Sequence, residues 1–370
     1  MKAFAAKYIF DGKKLLESQV VVIENGLIKD IIDKSKFSGF VKHLGDGVIT
    51  PGFIDLQLNG CGGVLFNEQI STNTLEVMRN TWLKFGTTGF LPTLITSDFK
   101  DVISALNVTK EWFDKFGDSN GVLGIHLEGP FISEVKNGIH PKSFIIKPTN
   151  ELLEQIISYR KYFPIKMTIA IEKFGLEQIK YLVDNGVVLS IGHSNADYNT
   201  AEIAIKMGVT TSTHMFNAMS GLTGRNPGVI GAVLSSNLYT GVIVDMLHVD
   251  SSNIKLLQKL KPSQVYLVTD AVAPTGTDIT EFKFAGKQLY VKDGKCIDKD
   301  GVLGGAILTM NHAIRNCVEN CSLSLEESLA MASTIPARVM GMDKLLGKIK
   351  IGYRADLVYM DLADFECEVL

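Results

Sequence analysis

Eight apolar runs, most of them separated by an amphipathic helical stretch, constrain this chain more than any other feature. In order they are Phe53 to Gly60, Gly89 to Ile95, Val122 to Glu128, Lys166 to Glu172, Val187 to His193, Val209 to His214, Tyr239 to Asp245 and Gln264 to Asp270. Runs of this kind read as strands buried on both faces, and alternation with helices makes the sheet parallel. The expected helices are Asn73 to Phe85, Phe99 to Phe116, Asn150 to Tyr159, Leu176 to Asn185, Tyr198 to Met207 and Ser252 to Lys259. A glycine-rich loop precedes the seventh strand. Eight such units in 370 residues predict an α/β fold whose main body, residues 51–342, is a TIM-like (β/α)8 barrel.

The two ends of the chain read differently. Val20 to Ile23, Glu24-Asn25-Gly26 and Leu27 to Ile32 spell a hairpin with Asn-Gly at its turn. Strand-like pieces return from Gly347 through Met360. Residues 1–50 and 343–370 are therefore expected to pair into one small β-sandwich. A further β excursion is expected near 281–302, followed by helices Leu308 to Val318 and Leu325 to Met340.

A net charge of −3 gives no electrostatic case for nucleic acid or an anionic membrane as partner. No apolar run reaches the length of a membrane span, and Met1 to Phe10 lacks a signal-peptide apolar core. The five cysteines are odd in number and scattered, which points to a reduced cytoplasm.

Three strands end on chemistry: the third on Glu128, the fifth on His193 and the sixth on His214. Strand ends of a barrel converge on one mouth, so the three can meet although they are far apart in sequence. One carboxylate and two imidazoles suit one divalent metal ion with a position left open for water. Zn²⁺ is the default, and Fe²⁺, Co²⁺ or Mn²⁺ fit the same donors. Asp270, at the end of the eighth strand, is placed to be the general base and acid; a fourth ligand or a helix cap is the alternative. His126 shares a strand face with Glu128, one layer deeper, and reads as structural. Cys61 has no histidine in a nucleophile–base pattern and is rejected as a nucleophile. His140, beside Ile139 in the loop after the third strand, either touches substrate or covers the site. Val302-Leu303-Gly304 either closes over the ligand or forms a turn.

The segments Pro51-Gly52-Phe53-Ile54-Asp55, His126-Leu127-Glu128-Gly129-Pro130-Phe131, Gly192-His193-Ser194, Thr213-His214-Met215-Phe216-Asn217-Ala218-Met219 and Val268-Thr269-Asp270-Ala271 resemble the amidohydrolase superfamily. Within it they are similar to the N-acetylglucosamine-6-phosphate deacetylases over essentially the whole chain. Many superfamily members carry His-x-His after the first strand for a second metal. Here Gln57 and Asn59 stand there, and amides are poor ligands, so the sequence resembles the single-metal branch. Strand four ends in Ala170-Ile171-Glu172, where relatives are expected to carry a proline before the glutamate.

The resemblance implies hydrolysis of the acetamide of N-acetyl-D-glucosamine 6-phosphate to acetate and glucosamine 6-phosphate, in amino-sugar catabolism and cell-wall recycling. It implies that Arg225, His248, Asn217 and the Ala218 amide hold the phosphorylated amino sugar, and that a homodimer or higher homo-oligomer lets Arg225 act across the interface. A cyclic amidohydrolase and a catalytically dead barrel are the alternatives. Gln57, Asn59 and Arg225 count against the first, and the intact set Glu128, His193, His214 and Asp270 counts against the second.

Overall fold

The computed structural model describes residues 1–117 and 119–370. The eight strands form one parallel sheet in chain order: β1 (Phe53–Leu58), β2 (Thr87–Ile95), β3 (Ile125–Glu128), β4 (Ile165–Ile169), β5 (Val188–Ile191), β6 (Thr211–Ser212), β7 (Tyr239–Val242) and β8 (Val265–Leu267). The first and last meet just beyond their ends. Leu58 bridges Ala271, the Asp270 amide donates to the Gln57 carbonyl at 3.0 Å, and the Asn59 amide donates to the Ala271 carbonyl at 3.0 Å. The expected barrel is thus present. Its eighth seam is made by the residues that the sequence marked as functional.

Register sets the depth of each side chain. Glu128 lies opposite Ile95 and Thr168, while His126 lies opposite Thr93 and Lys166, one layer lower. Most connecting helices begin on a side-chain cap that satisfies their first free N–H groups: Ser71, Asp98, Thr149, Asp197 and Asp250 each accept from a backbone amide two or three residues on.

Two elements differ from expectation. The glycine-rich stretch before β7 contains a helix, Gly228–Leu234, buried along almost its whole length. Its Gly-Val-Ile-Gly-Ala-Val-Leu sequence has no polar face, so periodicity does not announce it. The stretch expected as one helix, Leu325 to Met340, is two, Leu325–Ala332 and Thr334–Val339. Pro336 has no N–H and its ring would strike the carbonyl four residues earlier, so the chain breaks at Ser333, where φ is −135°.

The chain ends do pair. Val48–Pro51 lies antiparallel to Leu357–Met360 in a five-stranded sheet, and a four-stranded sheet carries the hairpin Gln19–Glu24 and Leu27–Asp33. Asn25 and Gly26 take φ of 52° and 75°, the left-handed pair that this two-residue turn needs. Phe4, Ile9, Val21, Ile49 and Leu357 share one apolar cluster between the two sheets, as a sandwich requires. The β excursion is a four-stranded antiparallel sheet, Glu281–Phe284, Lys287–Lys292, Lys295–Ile297 and Leu303–Ala306. Its last strand touches the barrel through the Ala271–Ala306 bridge. Ile139, Val272, Phe284 and Leu289 form an apolar cluster joining that sheet to the loops of the mouth. Among the described residues no helix is long and apolar enough to cross a membrane.

Candidate metal centre

Glu128 ends β3 buried at 1% exposure, and the chain leaves through Gly129 at φ 103°. A Cβ on Gly129 would come within 2.1 Å of the Thr96 hydroxyl oxygen, so this turn requires glycine. His193, His214 and Asp270 each sit two or three residues past the last ladder residue of their strands, with φ of 47°, 25° and 52°. Left-handed backbone at non-glycine residues costs on the order of 1–3 kcal/mol each and persists where the surroundings over-determine it. Here the surroundings are visible. The His193 carbonyl accepts from the Ser133 amide at 2.9 Å, and Glu172 takes the Ser194 hydroxyl at 2.6 Å and the Asn195 amide at 2.7 Å.

Three potential ligand atoms converge. Glu128 Oε1 lies 3.0 Å from His214 Nε2 and 3.2 Å from His193 Nε2, and the two imidazole nitrogens are 3.2 Å apart. Four-coordinate Zn²⁺ with bonds of about 2.0–2.1 Å holds its ligand atoms about 3.3 Å apart. The observed spacing therefore fits a divalent ion at the centre of the three. The tautomer of His193 fits as well. Nδ1 lies 2.7 Å from the Lys136 carbonyl, which can only accept, so the proton sits on Nδ1 and the Nε2 lone pair faces the site. Burial would raise the Glu128 carboxyl, but the adjoining imidazoles of His193 and His214 hold it well below the ordinary carboxylate range.

Asp270 is close by. Burial, then the charge of Glu128, pushes its carboxyl above the ordinary range, while His214 and the Asn59 amide oppose that rise. Gln57 and Asn59, expected to mark a lost second metal position, instead bond to the carboxylates. Gln57 Nε2 lies 3.1 Å from both Glu128 oxygens and from Asp270 Oδ1, and Asn59 Nδ2 lies 2.7 Å from that same Oδ1.

His140 joins the cluster. One nitrogen of it, with the ligand atoms of Glu128 and His193, falls within a 4.8 Å group, and its ring lies 4.2 Å from that of His193. Its Nδ1 receives the Thr96 amide at 3.4 Å and is 2.9 Å from the Thr96 hydroxyl. Burial, then His193, pushes the ring well below the ordinary histidine range, so it is neutral. With Nδ1 accepting, its proton is on Nε2.

Glu128, His140, His193, His214 and Asp270 line one cavity of about 330 Å³. Asn59, Ile139, Asn217, Ala218, His248, Val302 and Leu303 line it too. Gly304 does not; the glycine of this segment that lines the cavity is Gly305, and Gly304 packs toward Leu289 and Ile139. Val302 to Gly304 is no simple turn, since Leu303 begins the last strand of the excursion sheet. His248 Nδ1 donates to Asp245 Oδ2 at 2.6 Å, which leaves Nε2 as its free polar atom. Asn217 uses its amide on the His214 and Met215 carbonyls, both at 3.3 Å.

Arg225 lies elsewhere. It is exposed in a neighbouring cleft of about 690 Å³ with Tyr198, Thr223 and Asn226. Lys136, not singled out in the sequence, lines both this cleft and the metal cavity. His126 is fully buried beneath the site between Thr93 and Thr168, and Cys61 is buried with its thiol pushed well above the ordinary range by burial.

The model of the Amidohydrolase family matches residues 48–369. The chain is 39% identical over 354 residues to the N-acetylglucosamine-6-phosphate deacetylase of Haemophilus influenzae, covering 94% of this chain and 92% of that one. It is 38% identical to the N-acetylgalactosamine-6-phosphate deacetylase of a Shewanella species, covering 95% and 92%. The crystal structure of N-acetylglucosamine-6-phosphate deacetylase from Pasteurella multocida superposes with a TM-score of 0.95 at 41% identity, over 99% of this chain and 96% of that one. A match running from the middle strand of the terminal sheet through the whole barrel and on to that sheet's C-terminal strands places this chain in the amidohydrolase family.

Proposed function

We propose that this protein hydrolyses the acetamide of N-acetylglucosamine 6-phosphate, giving acetate and glucosamine 6-phosphate, with one divalent ion held by Glu128, His193 and His214. The observation that carries the reading is the 3.0–3.2 Å triangle of those ligand atoms beside Asp270 in one cavity. The ion, with Zn²⁺ as the default, supplies the Lewis acidity that lets water attack an amide near neutral pH. Asp270 takes the proton of the attacking water on Oδ2 and returns it to the leaving nitrogen at C2, so both transfers use one carboxylate. His140, neutral with its proton on Nε2, donates to the acetyl oxygen as charge develops there. The apolar wall of Ile95, Ile139, Phe284 and Leu303 excludes bulk water around these charges.

The phosphate is met by other residues of the cavity wall: His248, the Asn217–Ala218 turn and Lys136. Arg225 adds to them from a second copy of the chain in a homodimer. What supports that reading is its exposed place outside the metal cavity of its own chain. A cytoplasmic setting agrees with five cysteines that are all unpaired.

The Shewanella relative supports a second reading, in which the 4-epimer N-acetylgalactosamine 6-phosphate is the substrate. Both are tested by acetate release from a panel of the two phosphorylated sugars and their unphosphorylated forms, with metal content measured on the same protein. Turnover of the gluco phosphate at least tenfold above the others is expected. Preference for the galacto epimer selects the second reading, and equal rates without phosphate refute both.

A further inference from the structure

The amide side chains at the end of β1 do something that their poor ligand chemistry does not suggest. Both present their N–H ends to carboxylates. Gln57 Nε2 bridges Glu128 and Asp270 with three contacts of 3.1 Å, and Asn59 Nδ2 reaches Asp270 Oδ1 at 2.7 Å. Both leave their carbonyl oxygens buried with no hydrogen-bond partner. A flipped amide would set oxygen against carboxylate oxygen, so the charge-assisted bonds decide the orientation and the carbonyl ends are left orphaned.

Both donors go to the same atom of Asp270. Oδ1 is held twice, and Oδ2 receives no hydrogen bond from a described residue. The backbone reinforces this. The Asp270 amide bonds the Gln57 carbonyl, and the Asn59 and Gly60 amides bond the Ala271 carbonyl, all at 3.0 Å. Asp270 thus hangs on the end of β1 by main chain and side chain together, although it follows β8.

We propose that Gln57 and Asn59 are positioning residues that clamp Asp270 Oδ1 with N–H donors, so that Oδ2 alone faces the reacting atoms, and that Gln57 also sets the Glu128 carboxylate for the metal. The inference deepens the deacetylase reading and rests on it. The clamp stabilises two neighbouring carboxylates by hydrogen bonds from neutral amides, without adding charge to the site. Proximity of a general base in one orientation is worth orders of magnitude when it is fixed beforehand, so loosening it lowers turnover more than binding.

The test compares wild type with Asn59→Leu, Gln57→Met and Asn59→Asp for kcat, KM and metal content, with crystal structures of the metal-loaded proteins. Asn59→Leu and Gln57→Met are expected to lose roughly 10–100-fold in kcat, with KM within about threefold and one ion still bound per chain. Asn59→Asp keeps the shape but turns a donor into an acceptor facing Oδ1, and is expected to lose at least as much. In Asn59→Leu crystals Asp270 should leave its wild-type rotamer. Unchanged kcat, or a loss that merely follows lost metal, or an unmoved Asp270, overturns the clamp. Wild type that releases no acetate from any phosphorylated acetamido sugar sinks the deacetylase reading instead, while the Asp270 rotamer still decides the clamp.

Discussion

The Lys136 carbonyl accepts the Nδ1 proton of His193 at 2.7 Å, and Lys136 lines both the metal cavity and the Arg225 cleft. One residue therefore fixes the tautomer of a metal ligand through its main chain and carries an ammonium group on a segment that borders both cavities. The two roles separate by mutation, because a side-chain change leaves the carbonyl in place.

Lys136→Met is accordingly expected to raise KM for the phosphorylated sugar by about 10- to 100-fold, the worth of one charge-assisted contact of about 1.5–3 kcal/mol. Metal content and turnover of the unphosphorylated sugar should stay near wild type. Steady-state kinetics on both sugars check it, and an equal KM rise for both would remove Lys136 from phosphate binding.

Asp270→Asn keeps the size of the side chain and removes its ability to take a proton. Turnover should fall by at least about 10²–10⁴-fold, the range of general acid–base catalysis. The ion should remain, because the 3.0–3.2 Å triangle does not include Asp270. Single-turnover rates with elemental analysis of the same sample check this; loss of metal in that variant would make Asp270 a ligand.

Lys166 gives a prediction about stability. It is fully buried on β4 beneath the site, with His126 Nε2 at 3.5 Å, and burial pushes its ammonium down to about 8 despite the charges of Glu128, Asp55 and Asp270. Between about pH 8 and 10.4 the unfolded chain binds the proton that the folded one has lost, so stability rises with pH there. Below about pH 8 the folded state carries a cost of up to about 3 kcal/mol. Lys166→Met should therefore raise the Tm of metal-free protein at pH 7, and the gain should vanish near pH 10. A gain or loss independent of pH would show that packing, not charge, sets the effect.

The barrel was legible because each strand is a continuous apolar run and most helices begin at a capping residue. The ligands were legible for a related reason: Glu128, His193 and His214 interrupt such runs with groups that strand ends seldom hold. Other features depend on how loops fold, which periodicity does not reach. Lys136 belongs to a loop bent back so that Ser133 N and the Lys136 carbonyl grip one histidine, and nothing local in Ser133 to Asn137 signals this. Gln57 and Asn59 were legible as absent ligands. Their role as donors was not, because it needs the seam between β1 and β8. Gly304 was placed one residue off the cavity because the strand starting at Leu303 turns alternate residues away from it.

Arg225 supplies the last prediction. It is exposed in the cleft beyond Lys136, so a phosphate role from a second chain makes each site a product of two subunits. Arg225→Ala alone should raise KM for the phosphorylated sugar, and Asp270→Asn alone should be nearly inactive. Denatured together and refolded as a mixture, the two make mixed dimers in which one site has an intact Asp270 and receives an intact Arg225. In a symmetric dimer with random pairing, about a quarter of all sites regain wild-type KM. The check is the appearance of a low-KM component in the mixture that neither parent shows. If the kinetics of the mixture are the simple sum of the two parents, Arg225 does not cross an interface, and the phosphate is held by His248, Lys136 and the Asn217–Ala218 turn of a single chain.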